Sequence, residues 1–313
     1  MNNIKTLPDP HIGRVFRVGV PLHRLGERER SQLIDLKASL MEGPEEYHVC
    51  TGDIMDKFAV PNSILLAVYH SYVKAARARP DRQFYILRGN HDASRDNGKV
   101  SSFELLQLML SSFENITVIS EEPYAYGPMG WIPWHPFKTS EEMAGEFVAL
   151  GQKVEVIFTH NDIEAFGNKT ENLIPTKTLS QVTDLIVNGH IHIPSEFDRD
   201  GVHVVVTGSM QPYSHAEDPE GVLYRTLTLA ELEGIDPTNL NIRLLLSPGQ
   251  DLPTDVDCLS LTSKRLVEDE EGEQVNTDEF MNLDLGGLLA KRLANNPVAD
   301  RIMEQFHADE TVS

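Results

Sequence analysis

Residues 46–56 read Glu-Tyr-His-Val-Cys-Thr-Gly-Asp-Ile-Met-Asp, a short strand-like stretch that runs into a glycine and two carboxylates. The same order, a predicted strand followed by oxygen or imidazole side chains, occurs at four more places. These are Asp9-Pro10-His11, Gly89-Asn90-His91-Asp92, Thr159-His160 and Gly189-His190-Ile191-His192. Ligands delivered from the ends of several strands build metal sites in α/β folds. One such motif is weak evidence, whereas five in one chain predict a metal centre.

The arrangement of apolar segments predicts the fold class. Segments with strand character alternate with segments of helical period, which indicates an α/β protein. The closely spaced later strands predict a second, partly antiparallel sheet stacked on the first. We therefore expect a two-sheet β-sandwich flanked by helices. The predicted helices are 27–41, 61–79, 101–113 and 139–150, and the predicted strands include 3–8, 46–50, 84–87, 154–158, 184–187, 202–206 and 241–246.

The C-terminal quarter differs in character and predicts separate parts. Residues 1–235 form the expected catalytic domain, and residues 236–267 a C-terminal strand extension. Residues 268–282 are expected to be an acidic linker. Residues 283–313 carry two apolar stripes separated by Asn295-Asn296-Pro297, which predict a helical tail that docks on a partner.

Composition limits the class of protein. The chain has 313 residues, of which 40% are hydrophobic, so a full core can form. It contains no apolar run of membrane-spanning length and no apolar N-terminal run, so we expect no membrane association. Two cysteines far apart predict a reducing, cytoplasmic environment in a bacterium or a phage-infected host. The net charge of −21 argues against a protein that coats nucleic acid, but not against a nuclease.

The five motifs contain the parts of a dinuclear centre. Two divalent ions about 3.5–4 Å apart can stabilise the attacking and leaving oxygens of a phosphoryl transfer. Asp53 is the expected bridging carboxylate, because Gly52 allows a tight exit from the strand. Carboxylate and imidazole ligands together favour manganese, iron or zinc over calcium. The expected ligands are Asp9, His11, Asp53, Asn90, His160, His190 and His192.

Three further side chains are expected to act in catalysis. His91 follows the ligand Asn90 and is placed to contact the scissile phosphate or to protonate the leaving oxygen. Asp92 is expected to orient His91. Asp56, three residues after Asp53, is expected to hold His91 or a ligand histidine.

These motifs resemble those of the calcineurin-like metallophosphoesterase superfamily, in the family order, over residues 4 to 213. Within it, Asp9-Pro10-His11-Ile12-Gly13 and Gly208-Ser209-Met210-Gln211 are similar to blocks of SbcD-type DNA exonucleases, including bacteriophage versions. These are nuclease subunits that work with an SMC-like ATPase in DNA repair, recombination or replication. The resemblance implies Asp9, His11, Asp53 and His192 at a first metal, and Asp53, Asn90, His160 and His190 at a second. It implies two divalent metal ions, with manganese as the expected metal and magnesium, iron or zinc as alternatives.

Two alternatives stay open at this point. A small-molecule or cyclic-nucleotide phosphodiesterase would use the same site, and the acidic composition favours it. A scaffold that only holds metals would not need His91. The Leu-Arg-Gly-Asn-His-Asp sequence at 87–92 is similar to that of Ser/Thr protein phosphatases, but Lys57-Phe58 after Asp56 and the Gly-His-Ile-His block argue against that family.

The resemblance also implies partners. Residues 1–40 hold seven Lys/Arg and four Asp/Glu, so Arg14, Arg17 and Arg24 are expected to contact DNA phosphates beside the metals. The predicted tail is expected to bind an SbcC-like, SMC-type ATPase. We also expect a homodimer.

Overall fold

The computed structural model describes residues 3–96, 99–164 and 170–266. These residues form an α/β fold with several sheets flanked by helices, as the sequence predicts. The expected linker 268–282 and helical tail 283–313 lie outside the described residues. In the described part of the chain no helix is both long and apolar enough to span a bilayer.

Thirteen strands of the described chain form three sheets. The first sheet is all parallel, in the order β1-β2-β3-β4, and the second has the order β5-β6-β7-β8-β10-β9. The third sheet has the order β11-β12-β13. The strands are β1 (Ile4–Leu7), β2 (Tyr47–Cys50), β3 (Gln83–Leu87), β4 (Ile116–Ile119), β5 (Tyr124–Tyr126), β6 (Met129–Ile132), β7 (Val156–Thr159), β8 (Leu185–Asn188), β9 (Ser195–Arg199), β10 (Val202–Val206), β11 (Tyr224–Leu227), β12 (Asn241–Leu246) and β13 (Ser260–Arg265).

The helices of the described chain connect and cover these strands. Ser101 and Thr139 begin α3 and α4 with capping boxes, in which each hydroxyl accepts from the backbone of a glutamate three residues on. The helices are α1 (Glu27–Met41), α2 (Asn62–Ala78), α3 (Ser102–Leu110), α4 (Ser140–Ala149), α5 (Thr176–Leu179) and α6 (Leu229–Leu232), with a 3-10 turn at Leu22–Arg24.

Aromatic side chains fill the space between the first two sheets. Tyr85 of β3 stacks on Trp131 of β6 with ring centroids 4.2 Å apart, and Trp131 stacks on Phe158 of β7. Apolar side chains of α1, α2 and α3 cover the outer face of the first sheet, and α4 and α5 cover the second. Both sheets are therefore covered on two faces, which explains why their central strands β3, β7 and β8 are largely apolar.

The third sheet has a small core of its own. Ile242, Leu244 and Leu246 alternate along β12 and are buried. The sequence predicts β12, but it does not predict the flanking strands β11 and β13. Their side chains are mostly polar or exposed, so they lack the apolar pattern that marks a strand.

Parallel pairing brings the five motifs to one edge. β1, β2 and β3 pair in register, as do β6, β7 and β8. Because parallel strands point the same way, their carboxyl ends meet at one edge of each sheet. Asp9, Asp53, Asn90, His160 and His190 each follow such a strand end.

Candidate metal centre

The backbone at this edge is strained where it carries the predicted ligands. His11, Asp53 and His190 have φ angles of 45°, 48° and 74°, in the left-handed region that non-glycine residues seldom adopt. Such strain persists only where surrounding structure holds it, and it concentrates at functional sites. Gly89 makes the close packing possible, since a Cβ at this position would lie 2.2 Å from Asp53 Oδ1.

A first ligand group consists of Asp9, His11 and His192, whose ligand atoms all lie within 4.8 Å of one another. His11 Nε2 lies 3.0 Å from His192 Nε2. The Asp9 carboxylate is fully buried, and its Oδ2 accepts a hydrogen bond of 2.6 Å from the His190 backbone. The Glu217 carboxylate lies 3.1 Å from His192 Nδ1 and accepts its proton.

A second ligand group consists of Asp53, His160 and His190, again with ligand atoms within 4.8 Å. Asn90 joins it, because its Oδ1 lies 2.9 Å from both His160 Nε2 and His190 Nδ1. His160 Nδ1 donates to the Thr51 carbonyl at 2.9 Å. Each histidine of this group thus has one nitrogen directed to the centre.

Asp53 lies between the two groups. Its Oδ2 is 3.5 Å from His11 Nε2 and 3.3 Å from His160 Nε2. Its Oδ1 accepts a 2.8 Å hydrogen bond from the His91 backbone. One carboxylate oxygen therefore faces both groups, as a bridging ligand must.

The nitrogen and oxygen atoms that meet at this centre are suited to bind cations. Carboxylates and carbonyls can only accept, so the protons of His160, His190 and His192 must lie on the nitrogens that contact Thr51 O, Asp162 Oδ1 and Glu217 Oε2. The other nitrogens of His160 and His190 are then lone pairs that converge with the Asp53 and Asn90 oxygens, and that of His192 converges with His11 Nε2 and Asp9. Converging acceptors repel one another unless a cation lies among them. Nitrogen and oxygen ligands of this kind suit divalent transition metals.

The electrostatics of the buried groups agree with this fit. Burial would lower the pKa of His160, but the Asp53 and Asp9 carboxylates raise it to about 10. Burial raises the pKa of Asp9 to about 6. The cluster therefore favours positive charge at its middle, whether a proton or a metal ion supplies it.

His91 lies at the mouth of the centre. Its ring packs edge-on against His11 with centroids 4.8 Å apart, and its Nδ1 donates to the Asp56 carbonyl at 2.6 Å. The ring is exposed and lines a cavity of about 660 Å³ together with Arg14, Lys57 and Asn90. The Asp56 carboxylate lies beside the expected ligand histidine His11 and not beside the His91 ring, with its Oδ1 3.7 Å from His11 Nδ1 and 3.6 Å from Arg14 Nη1.

The expectation for Asp92 is wrong. Its buried carboxylate accepts from the backbone amides of Gly89, Ile54 and Met55, at 2.9, 3.3 and 3.0 Å. It therefore joins two ligand loops and does not orient the His91 ring, which is held by the Asp56 carbonyl. Motif spacing could not separate these roles, because adjacent side chains on a turn point in different directions.

The three predicted DNA-contacting arginines have different environments. Arg14 lines the cavity, lies over the Tyr213 ring at 4.7 Å and is partly exposed, and Arg17 is exposed. Arg24 is only 8% exposed. Its guanidinium donates twice to Glu27, at 2.7 and 2.6 Å, and also contacts the Thr238 carbonyl and Asp257. The Arg24 guanidinium is thus already paired within the protein, so the structure does not favour the expected contact of Arg24 with DNA.

Three residues of the site have no motif in the sequence. Asp162 Oδ1 accepts from His190 Nε2 at 2.6 Å, and Glu217 accepts from His192. The buried Tyr213 donates to the carbonyls of Asp9 and Pro10 and packs edge-on against His11 and His192. Carboxylates that orient ligand histidines are common at metal sites, and Asp162 follows His160 by only two residues. That proximity is the one signal that could have indicated it.

The sequence-family model described as the calcineurin-like phosphoesterase superfamily domain matches residues 23–229 of this chain. This range is well over half of the chain. The chain belongs to the calcineurin-like phosphoesterase superfamily. It is accordingly a hydrolase of phosphoester bonds, of a kind that uses two divalent metals. The matched range contains four of the five motifs, and Asp9-Pro10-His11 precedes it.

Solved structures are similar to the chain at low sequence identity. A phosphopantetheinyl hydrolase from Mycobacterium tuberculosis is 14% identical with a TM-score of 0.41, over 68% of this chain and 93% of that one. The protein TT1561 from Thermus thermophilus is 12% identical with a TM-score of 0.45, over 66% and 89%. A dimetal phosphatase from Danio rerio is 12% identical with a TM-score of 0.37, over 66% and 87%. No curated protein matches the chain.

Proposed function

We propose that this member of the superfamily is a phosphodiesterase that cleaves DNA, with the activity of an SbcD-type nuclease and manganese as its preferred metal. The observation that carries the proposal is the cavity of about 660 Å³ at the ligand groups, lined by His91, Arg14 and Lys57. Cations beside an open cavity match the phosphate backbone of a nucleic acid. Exposed Arg17 lines an adjoining cavity, so positive charge extends beyond one phosphate.

We propose a role in phosphodiester cleavage for each side chain at the cavity. Two bound ions would supply a metal-activated hydroxide and neutralise the charge of the phosphate. His91 presents its Nε2 to the cavity because its Nδ1 is held by the Asp56 carbonyl. As an imidazolium it protonates the leaving oxygen at Nε2. Arg14 contacts a phosphate oxygen at the cavity wall, and Asp56 holds Arg14 in reach.

The test compares two diesters. Wild-type protein with manganese is given linear duplex DNA and, separately, bis-p-nitrophenyl phosphate. We expect cleavage of both, with higher kcat/KM on DNA. Cleavage of the small diester without any cleavage of DNA would overturn the nuclease proposal. The runner-up, a small-molecule phosphodiesterase, is favoured by the net charge of −21 and would then take its place.

A pair of variants tests the role of the basic segment. Arg14→Gln removes a cation that lines the cavity, whereas Arg30→Gln removes an exposed cation from α1 outside it. We expect the ratio of kcat/KM on DNA to kcat/KM on the small diester to fall for Arg14→Gln only. The salt dependence of DNA binding should weaken as well. Equal ratios in the two variants would show that Arg14 does not contact DNA.

The partner proposal rests on the family resemblance of the sequence. We propose that an SbcC-like, SMC-type ATPase binds residues 283–313 and that the catalytic part forms a homodimer. Deleting residues 268–313 should leave manganese-dependent DNA cleavage intact and abolish ATPase binding. A truncated protein that changes from dimer to monomer without any ATPase would show that the tail joins two copies instead.

A further inference from the structure

A second cavity, of about 270 Å³, adjoins the one that holds His91. The two cavities share Arg14 and Val15. The segment 14–20 forms one wall of the second cavity, and side chains of the third sheet form the opposite wall. Leu261 of β13 donates to the Gly19 carbonyl at 2.8 Å, which holds this segment against the sheet. The cavity is thus a defined extension of the reaction cavity.

The charge of this second cavity is opposite to that of the chain. The chain carries a net charge of −21, yet the described residues that line the cavity include Arg14, Arg17, Arg243 and His215 and no carboxylate. Its other polar lining groups are hydroxyls and an amide. In so acidic a protein, a cavity wall with three guanidiniums concentrates positive potential at one place.

Two of these guanidiniums have no acceptor among the described residues. Arg243 is half-buried on β12, and neither it nor Arg17 has a side-chain hydrogen bond or ion pair with any described residue. Arg28, which lies behind the same wall, instead donates to Tyr224 Oη, Gln211 Oε1 and the Pro212 carbonyl. A guanidinium that is partly withdrawn from water without an acceptor is stabilised by a bound anion, and phosphate matches its forked donors.

We propose that this cavity is a second phosphate-binding subsite, in which Arg243 and Arg17 bind a phosphodiester group of the substrate strand other than the scissile one. Arg14 lies on the boundary of the two cavities and connects them. This inference rests on the proposed function, because a substrate with several phosphodiesters is needed to fill both cavities. The third sheet then acts in substrate binding and not only in folding.

Single-stranded oligothymidylates of increasing length test the subsite in the full chain with manganese. Arg243→Gln is compared with Arg225→Gln, an exposed arginine of β11 in the same sheet that donates to the Gly221 carbonyl and does not line the cavity. Both changes remove one positive charge. We expect kcat/KM on long oligomers, divided by kcat/KM on bis-p-nitrophenyl phosphate, to fall about tenfold for Arg243→Gln and to stay constant for Arg225→Gln.

Length and salt provide further readouts. The loss in Arg243→Gln should grow with oligomer length and then level off, once the strand reaches the subsite. The slope of log binding constant against log salt should fall by about 0.7 for a lost contact to single-stranded DNA. Arg243→Lys should restore part of the effect. If Arg243→Gln does not fold, Arg17→Gln on the exposed segment makes the same prediction.

Different experimental results would overturn the subsite proposal and the nuclease proposal. Equal ratios for Arg243→Gln and Arg225→Gln on DNA that the wild type cleaves would overturn the subsite alone. Wild type that hydrolyses the small diester but no oligonucleotide would overturn the nuclease proposal. In that case inhibition of diester hydrolysis by inorganic tripolyphosphate decides on the subsite. A higher Ki in Arg243→Gln only would support it, and equal Ki values would overturn it.

Discussion

The two ligand groups differ in how firmly their histidines are held. In the second group, His160 and His190 each have the outer nitrogen bonded, to the Thr51 carbonyl and to Asp162. In the first group only His192 has such a hydrogen bond, to Glu217, because His11 Nδ1 is buried without one and lies 3.7 Å from the nearest carboxylate oxygen, Asp56 Oδ1. Histidines whose tautomer and orientation are set beforehand bind metal more tightly. The difference predicts that the second group retains its ion when the first has lost its own.

The largest loss of activity is expected from a change at Asp53, the residue that both ligand groups share. Asp53 Oδ2 faces both groups, so Asp53→Asn should remove the bridge from each. We expect activity on any diester to be abolished and at least one metal equivalent to be lost. Metal analysis of purified protein together with bis-p-nitrophenyl phosphate hydrolysis measures both. A variant that keeps two ions would show that Asp53 does not bridge.

His91→Ala tests whether the first group has an additional ligand. The His91 ring packs against His11, and its nitrogen lies within 4.8 Å of ligand atoms of His11 and Asp53. As an acid or phosphate contact it contributes roughly 10²–10⁴-fold to turnover. We expect kcat to fall by that factor while both ions stay bound. Loss of an ion in metal titrations would instead identify His91 as a ligand.

A matched pair of carboxylate variants tests directly how the two ligand groups differ in metal affinity. Asp162→Asn acts on His190 in the second group, and Glu217→Gln acts on His192 in the first. Each should weaken metal binding about 10–100-fold at its own group only. Calorimetric titration with manganese resolves the two binding steps. If both variants weaken the same step, the two groups are not independent and the comparison fails.

The last expected effect is nil at neutral pH and appears only as a loss of folding stability in acid, where it serves as a control on acid titrations of the centre. Burial lowers the pKa of His48, on the strand that leads to Asp53, to about 3. The unfolded chain then binds a proton below about pH 6.5 that the folded chain does not, so stability falls as the pH drops from 6.5 towards 3. At about 1.4 kcal/mol per pKa unit, the full window corresponds to several kcal/mol.

His48→Gln should make this dependence shallower, since folding then no longer excludes a proton from position 48, while the buried His11 still contributes. Urea unfolding at several pH values in the presence of a chelator measures it without a contribution from metal loss. His70→Gln, at an exposed position of α2, serves as the control and should leave the slope as in the wild type. An unchanged slope in His48→Gln would assign the acid sensitivity to other groups.

Several features of this protein are readable from residues close together in the sequence. Most predicted strands that lead to the centre, such as β3, β7 and β8, are largely apolar because they are buried on both faces, and a ligand follows each of them within three residues. Local pattern therefore predicts the α/β class, which the structure confirms, and it nominates the seven ligand side chains. Parallel pairing then has to bring the strand ends together, so their proximity follows from the fold class.

Other features depend on contacts between residues far apart in the sequence. Arg14 and Arg24 belong to the same basic segment, yet Arg14 lines the cavity whereas Arg24 is buried against Asp257. Glu217 contacts His192 from a segment that precedes the third sheet, and Arg243 reaches the wall beside Arg14 because that sheet packs there. Neither a hydrophobic period nor a short motif in the sequence shows which distant residue a single charged side chain will contact. Packing of distant segments determines whether such a charge is satisfied inside the protein or left to bind a ligand.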